Sequence, residues 1–144
     1  MRISAKSKYA LQAMVYLCQT QEQGKYVTVL SIAENFQISK IFLEQVFSAL
    51  KKAGLLRSAK GALGGYVLSR LCTQITAYDI LSVTETSLFE NTEAEANEPQ
   101  STRSVTDLVC GALDKSISES LSAITLKDLA DESSRQGEDY MYYL

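Results

Sequence analysis

Between Ser39 and Gly54 the large apolar residues fall at Leu43, Val46, Phe47 and Leu50, the spacing that gathers side chains into one stripe along a helix. Ser39 stands where an N-cap belongs, and Gly54 where a left-handed residue costs least after a helix. So sharply bounded a helix must bury its stripe against neighbours. Upstream, Ser7 to Gln19 carries Tyr9, Ala10, Ala13, Met14 and Leu17 on one face. After a loop at Gln21 to Lys25, a short helix starting near Thr28 or Val29 is expected to turn Leu30, Ala33 and Phe36 inward. Downstream, Leu55 to Lys60 and Tyr66 to Arg70 read as short strands. Gly61-Ala62-Leu63-Gly64-Gly65 joins them, with glycines that permit positive φ. Helix, helix, turn, helix, hairpin is the order of a winged helix-turn-helix. The expected fold is therefore mainly α with a small β-hairpin, the winged domain occupying residues 1–72.

Charge divides the chain at the same place. Met1 to Arg70 holds ten Lys/Arg against three Asp/Glu, a net of +7, and Leu71 to Leu144 holds four against fourteen, a net of −10. A basic half is the electrostatic footprint of a surface that meets phosphates. Within it, the apolar face of the 39–53 helix leaves Ser39, Lys40, Ile41, Glu44, Gln45 and Ser48 to face outward. A recognition helix presents such residues to the major groove, where Gln45 can bond adenine and Glu44 can accept from a cytosine amino group. Pairing of Glu44 with Lys40 or Lys51 is an equal alternative. Lys51, Lys52 and Arg57 suit phosphates, as do Arg2, Lys6 and Lys8 near the first helix. Lys60 and Gly61 at the hairpin tip suit a minor groove.

The acidic half is expected to hold a linking helix begun by Thr76 and Asp79, then an aperiodic acidic loop, together residues 73–101. A long helix from Thr102 to Ile124 carries Val105, Leu108, Val109, Ala112, Leu113, Ile117, Leu121 and Ile124 at spacings of three and four. Such a helix on a small chain serves dimerisation or packs on its own domain. Dimerisation helices are placed at 102–132, including a short last helix over Thr125 to Glu132. A tail at 133–144 ends in Tyr140, Met141, Tyr142, Tyr143 and Leu144.

Other classes are excluded by what is missing. The chain has no histidine, hence neither the commonest general base nor the commonest metal ligand, and no catalytic constellation can be assembled. Cys18, Cys72 and Cys110 are scattered and odd in number, so no disulfide framework and no metal site is expected. Core packing is the favoured role for these cysteines, a thiol switch the lesser one. No apolar run reaches the roughly 18 residues of a membrane helix, and no secretory signal follows Met1, so a cytoplasmic location is expected.

Several motifs in order resemble one family: Arg2-Ile3-Ser4-Ala5-Lys6-Ser7-Lys8-Tyr9-Ala10-Leu11, Phe42-Leu43-Glu44-Gln45, Ala53-Gly54-Leu55-Leu56 and Lys60-Gly61-Ala62-Leu63-Gly64-Gly65-Tyr66. They are similar to the bacterial Rrf-two regulators over essentially the whole chain. The resemblance implies a homodimeric repressor that binds an imperfect palindrome of double-stranded DNA, with Glu44, Gln45 and the wing-tip Lys60 as recognition residues. The family usually has arginine at the wing tip, and lysine there implies a weaker minor-groove contact. One branch holds an iron–sulfur cluster through three cysteines in the loop before the dimerisation helix. Glu85 to Ser101 contains none, so no cofactor is expected. A cluster-free branch controls cysteine metabolism together with cysteine synthase, which accepts partner C-termini ending in isoleucine. Here the last residue is Leu144, and Tyr140 to Leu144 either enters such an enzyme or packs on its own dimer. The alternative to a repressor is thus a subunit that regulates a metabolic enzyme through this tail.

Overall fold

The computed structural model describes residues 2–22, 27–58, 65–90 and 95–142. Ser4 starts α1 (Ala5–Glu22): its hydroxyl accepts the Ser7 N–H at 3.2 Å and its carbonyl that of Lys8 at 3.0 Å. Ala10, Ala13, Met14, Leu17 and Cys18 form the buried face. Thr28 caps α2 (Val29–Phe36) by accepting the Ser31 N–H at 3.1 Å. Packing on the core turns Ile32 and Ala33 inward. The expected inward Leu30 is instead 51% exposed. Two residues are about 200° of helix rotation, so Leu30 and Ile32 cannot share a face. Phe36 lies at the rim, its ring edge-on to Tyr16 at 5.6 Å.

Ser39 caps α3 (Lys40–Lys52) through the Phe42 N–H, and Leu43, Val46, Phe47 and Leu50 are buried as their spacing requires. Gly54, at φ +82°, ends the helix; its N–H goes to the Lys51 carbonyl and that of Leu55 to Leu50. β1 (Leu56–Ser58) and β2 (Tyr66–Leu68) then pair antiparallel, with Leu56 opposite Leu68 and Ser58 opposite Tyr66. β1 begins one residue later, and β2 ends two residues earlier, than expected. Leu55 belongs to the helix-ending turn, and the Ser69 N–H returns to its carbonyl at 3.1 Å. The hairpin tip, with Lys60 and Gly61, lies outside the described residues.

A 3₁₀ turn at Cys72–Gln74 leads to α4 (Ala77–Thr84). Here the expectation of no disulfide is corrected: Cys18 on α1 is bonded to Cys72, with Cα atoms 6.0 Å apart. Nothing in a separation of 54 positions signals this pair. Packing of the hairpin exit against α1 creates it.

The acidic stretch is not wholly irregular. Thr86–Leu88 forms a 3₁₀ turn, and Phe89 meets the Tyr78 ring edge-on at 5.1 Å. α5 (Gln100–Ser122) follows Pro99, and α6 (Leu126–Tyr142) runs well past its expected stop near Glu132. Tyr140, Met141 and Tyr142 therefore continue a helix in their backbone. Tyr143 and Leu144 lie outside the described residues.

One core joins the basic and acidic halves. Leu126 and Ala130 of α6, with Ile75 and Ile80, pack in the same cluster as Met14, Phe47 and Leu50. Among the described residues no helix is long and apolar enough to cross a membrane.

Candidate nucleic-acid interface

Two aromatic contacts hold α3 against its neighbours. Tyr9 of α1 meets Phe42 in its first turn edge-on at 5.9 Å, and Phe47 stacks on Tyr66 of β2 at 5.2 Å. Each such pair contributes about 0.5–1.5 kcal/mol beyond its burial, and together they fix helix and wing as one unit. Gly65 makes the wing fit. Val27 bridges Tyr66 alongside the hairpin, and a Cβ on Gly65 would lie 2.7 Å from the Val27 carbonyl oxygen.

On this support Lys40, Ile41, Glu44, Gln45 and Ser48 are all exposed, Ile41 to 69%. So large an apolar side chain in water on a polar face suits contact with a thymine methyl. Of the two alternatives for Glu44, the structure shows the pairing with Lys40, Nζ to Oε1 3.6 Å. Both side chains are about half exposed, a geometry that contributes roughly 0–1 kcal/mol, so the pair opens at little cost when a better donor arrives. Lys51 and Lys52 occupy the last turn of α3, where cations also favour the helix dipole. They, Arg57, Arg2, Lys6 and Lys8 are exposed.

The candidate dimerisation residues divide by face. α5 has no buried residue. Leu108 is 76% exposed and Val105, Val109 and Leu113 more than half exposed, while Ile117 and Leu121 are half-buried. Ala112 and Ile124 are exposed as well. The stripe 105, 108, 109, 112, 113 is therefore a contiguous apolar helix face open to solvent.

Sequence spacing missed one structural group here. The Glu85 carboxylate accepts the Ser4 N–H at 2.7 Å and the Ser7 hydroxyl at 2.6 Å, tying the start of α1 to the end of α4. The Ser7 and Ser4 hydrogen bonds hold its pKa below the usual carboxylate value.

The model of the family described as Rrf2, iron-dependent transcriptional regulator, matches residues 3–132. The chain belongs to the Rrf2 family. The CymR transcriptional regulator of Bacillus subtilis is 35% identical over 144 residues, the whole of both chains. The solved structure of CymR, the global cysteine regulator of B. subtilis, superposes with a TM-score of 0.72 over 92% of this chain and 98% of that one. IscR of T. potens gives 0.71 at 36% identity, over 92% and 88%. The expected winged helix fold is thereby established, and this Rrf2 chain is a transcriptional regulator homologous to CymR and IscR.

Among the described residues the iron in the family description finds no fitting group. Cys18 and Cys72 are bonded to each other and Cys110 stands on α5. Among the described residues no three His, Cys, Asp or Glu side chains are grouped to hold a metal ion. Iron–sulfur clusters are held by thiolates, and this set does not supply them.

Proposed function

We propose that this Rrf2 protein is a homodimeric repressor in the cytoplasm that reads an imperfect palindrome without an iron–sulfur cluster. The observation that carries the reading is the pair of open faces: Lys40, Ile41, Glu44 and Gln45 on α3, and Val105, Leu108, Val109 and Leu113 on α5. A second copy seated on the α5 face covers its apolar surface and doubles the recognition helix, as half-site reading requires. Glu44 and Gln45 then contact base edges, while Lys51, Arg57, Arg2 and Lys8 bind phosphates and Lys60-Gly61 reach the minor groove. Likeness to the B. subtilis global cysteine regulator supports genes of cysteine or sulfur metabolism as targets.

The decisive experiment is salt-dependent binding to DNA from the protein's own upstream region, against scrambled DNA. Specific binding that weakens steeply with salt is expected, because each neutralised phosphate releases counterions. Equal binding to both DNAs at every salt concentration would overturn autoregulation through this surface. The alternative role, engagement of cysteine synthase by Tyr140 to Leu144, predicts co-elution with that enzyme that is lost when the last five residues are removed.

A further inference from the structure

The Cys18–Cys72 pair lies beside a solvent-open pocket of about 360 Å³, lined by both cysteines with Gln21, Leu68, Arg70 and Lys127. Cys18 is fully buried, whereas Cys72 is half-buried on its 3₁₀ turn. Only one of the two sulfurs therefore meets an incoming molecule. Two cations flank the entry. Arg70 lies 3.7 Å from Asp79, a long pair that leaves guanidinium N–H groups for a second anion, while Lys127 is engaged by Asp131 at 3.2 Å.

From this arrangement we infer that Cys18 and Cys72 form a reversible thiol–disulfide exchange site for small carboxylate-bearing disulfides, and that its redox state sets the affinity of the reading unit for DNA. The Cys72 thiolate attacks one sulfur of the small disulfide, whose S–S bond breaks and releases one small thiolate. The Cys18 thiolate then attacks the Cys72 sulfur of the mixed disulfide and releases the second. The protein loses two electrons and two protons, and the small disulfide becomes two thiols. Intracellular disulfides of this kind are characteristically transient and redox-sensing.

The coupling to DNA rests on the proposed function of α3. The bond closes a loop that contains α2, α3 and the hairpin, and it pins the exit of the wing to α1 next to the Gln21 side chain, which accepts the Leu68 N–H at 3.0 Å. Reduction leaves that exit held by hydrogen bonds such as this one, so the oxidised form is the better ordered reader.

The test starts from fully reduced protein exposed to 3,3′-dithiodipropionate, an anionic disulfide, or to cationic cystamine. Mass spectrometry follows the Cys18–Cys72 bond. Dithiodipropionate is expected to react about threefold faster, as one exposed guanidinium–carboxylate contact allows, and Arg70→Gln to narrow the ratio. Cys110→Ser should behave as wild type. Oxidised protein should bind its upstream DNA about tenfold more tightly than reduced protein, a difference absent in Cys72→Ala, which leaves the core residue Cys18 in place. Failure of the bond to form, or a preference for cystamine, overturns the exchange site. Equal affinities of the two redox forms, or a tighter reduced form, overturn the coupling. If neither form distinguishes upstream from scrambled DNA, the reading of α3 fails while the exchange chemistry is still judged by mass.

Discussion

Thr76 and Thr125 lie side by side in an antiparallel bridge, the Leu126 N–H donating to the Ile75 carbonyl at 2.7 Å and that of Ala77 to Ile124 at 2.8 Å. Each threonine also begins a helix, with the same reciprocal cap. Asp79 accepts the Thr76 N–H at 2.9 Å, and Asp128 that of Thr125 at 2.9 Å. Two helix starts are thus joined back to back where the winged domain meets α6. Thr125→Ala removes one acceptor for the Asp128 N–H and should cost about 1 kcal/mol. A urea midpoint checks it, and Thr76→Ala with Thr125→Ala should be non-additive because the sites touch.

Acid should loosen the same region. Hydrogen bonds lower the pKa of Glu85, through Ser7 first and the Ser4 N–H next, and that of Asp128 through Thr125. A depressed folded-state pKa gives stability that is present above the unfolded value and is lost as pH falls through the folded one. Thermal melts should therefore fall as pH drops through and below the ordinary carboxylate range. Glu85→Gln should flatten that dependence, and an unchanged slope would count against the Ser4–Ser7–Glu85 tie.

Gly65 is the position where a methyl group has no room. Gly65→Ala places its Cβ against the Val27 carbonyl at φ +142°, a backbone region that costs a non-glycine residue about 1–3 kcal/mol. Lower thermal stability and weaker DNA binding should follow together, since the wing itself shifts.

Base reading and phosphate binding should separate by mutation. Glu44→Ala should relax preference at one base pair in each half-site by about 1–3 kcal/mol. Lys51→Gln should weaken all sequences alike and reduce the salt slope by about 1. Binding titrations on single-base operator variants at several salt concentrations measure both.

Leu108→Glu puts a charge at the centre of the exposed α5 stripe. The proposed dimer should dissociate at micromolar concentration in light scattering while the monomer stays folded, because no core residue is touched. A dimer of unchanged stability would place the interface elsewhere.

The sequence by itself determined the elements that depend on local contacts. Ser39, Gly54 and the spacing from Leu43 to Leu50 specify α3 because caps and periodicity act within a few residues, and Thr76 with Asp79 specifies α4 in the same way. The exposed residues of α3 follow from that phase. The phase of α2 was less legible, since Leu30 and Ile32 are both apolar and only packing chose Ile32. Tertiary structure alone decided the rest. The Cys18–Cys72 bond, the Glu85 carboxylate on the start of α1 and the approach of Gly65 to Val27 each join residues far apart in the chain. No spacing encodes them, because they exist only once α1, the hairpin and α4 have packed around one core.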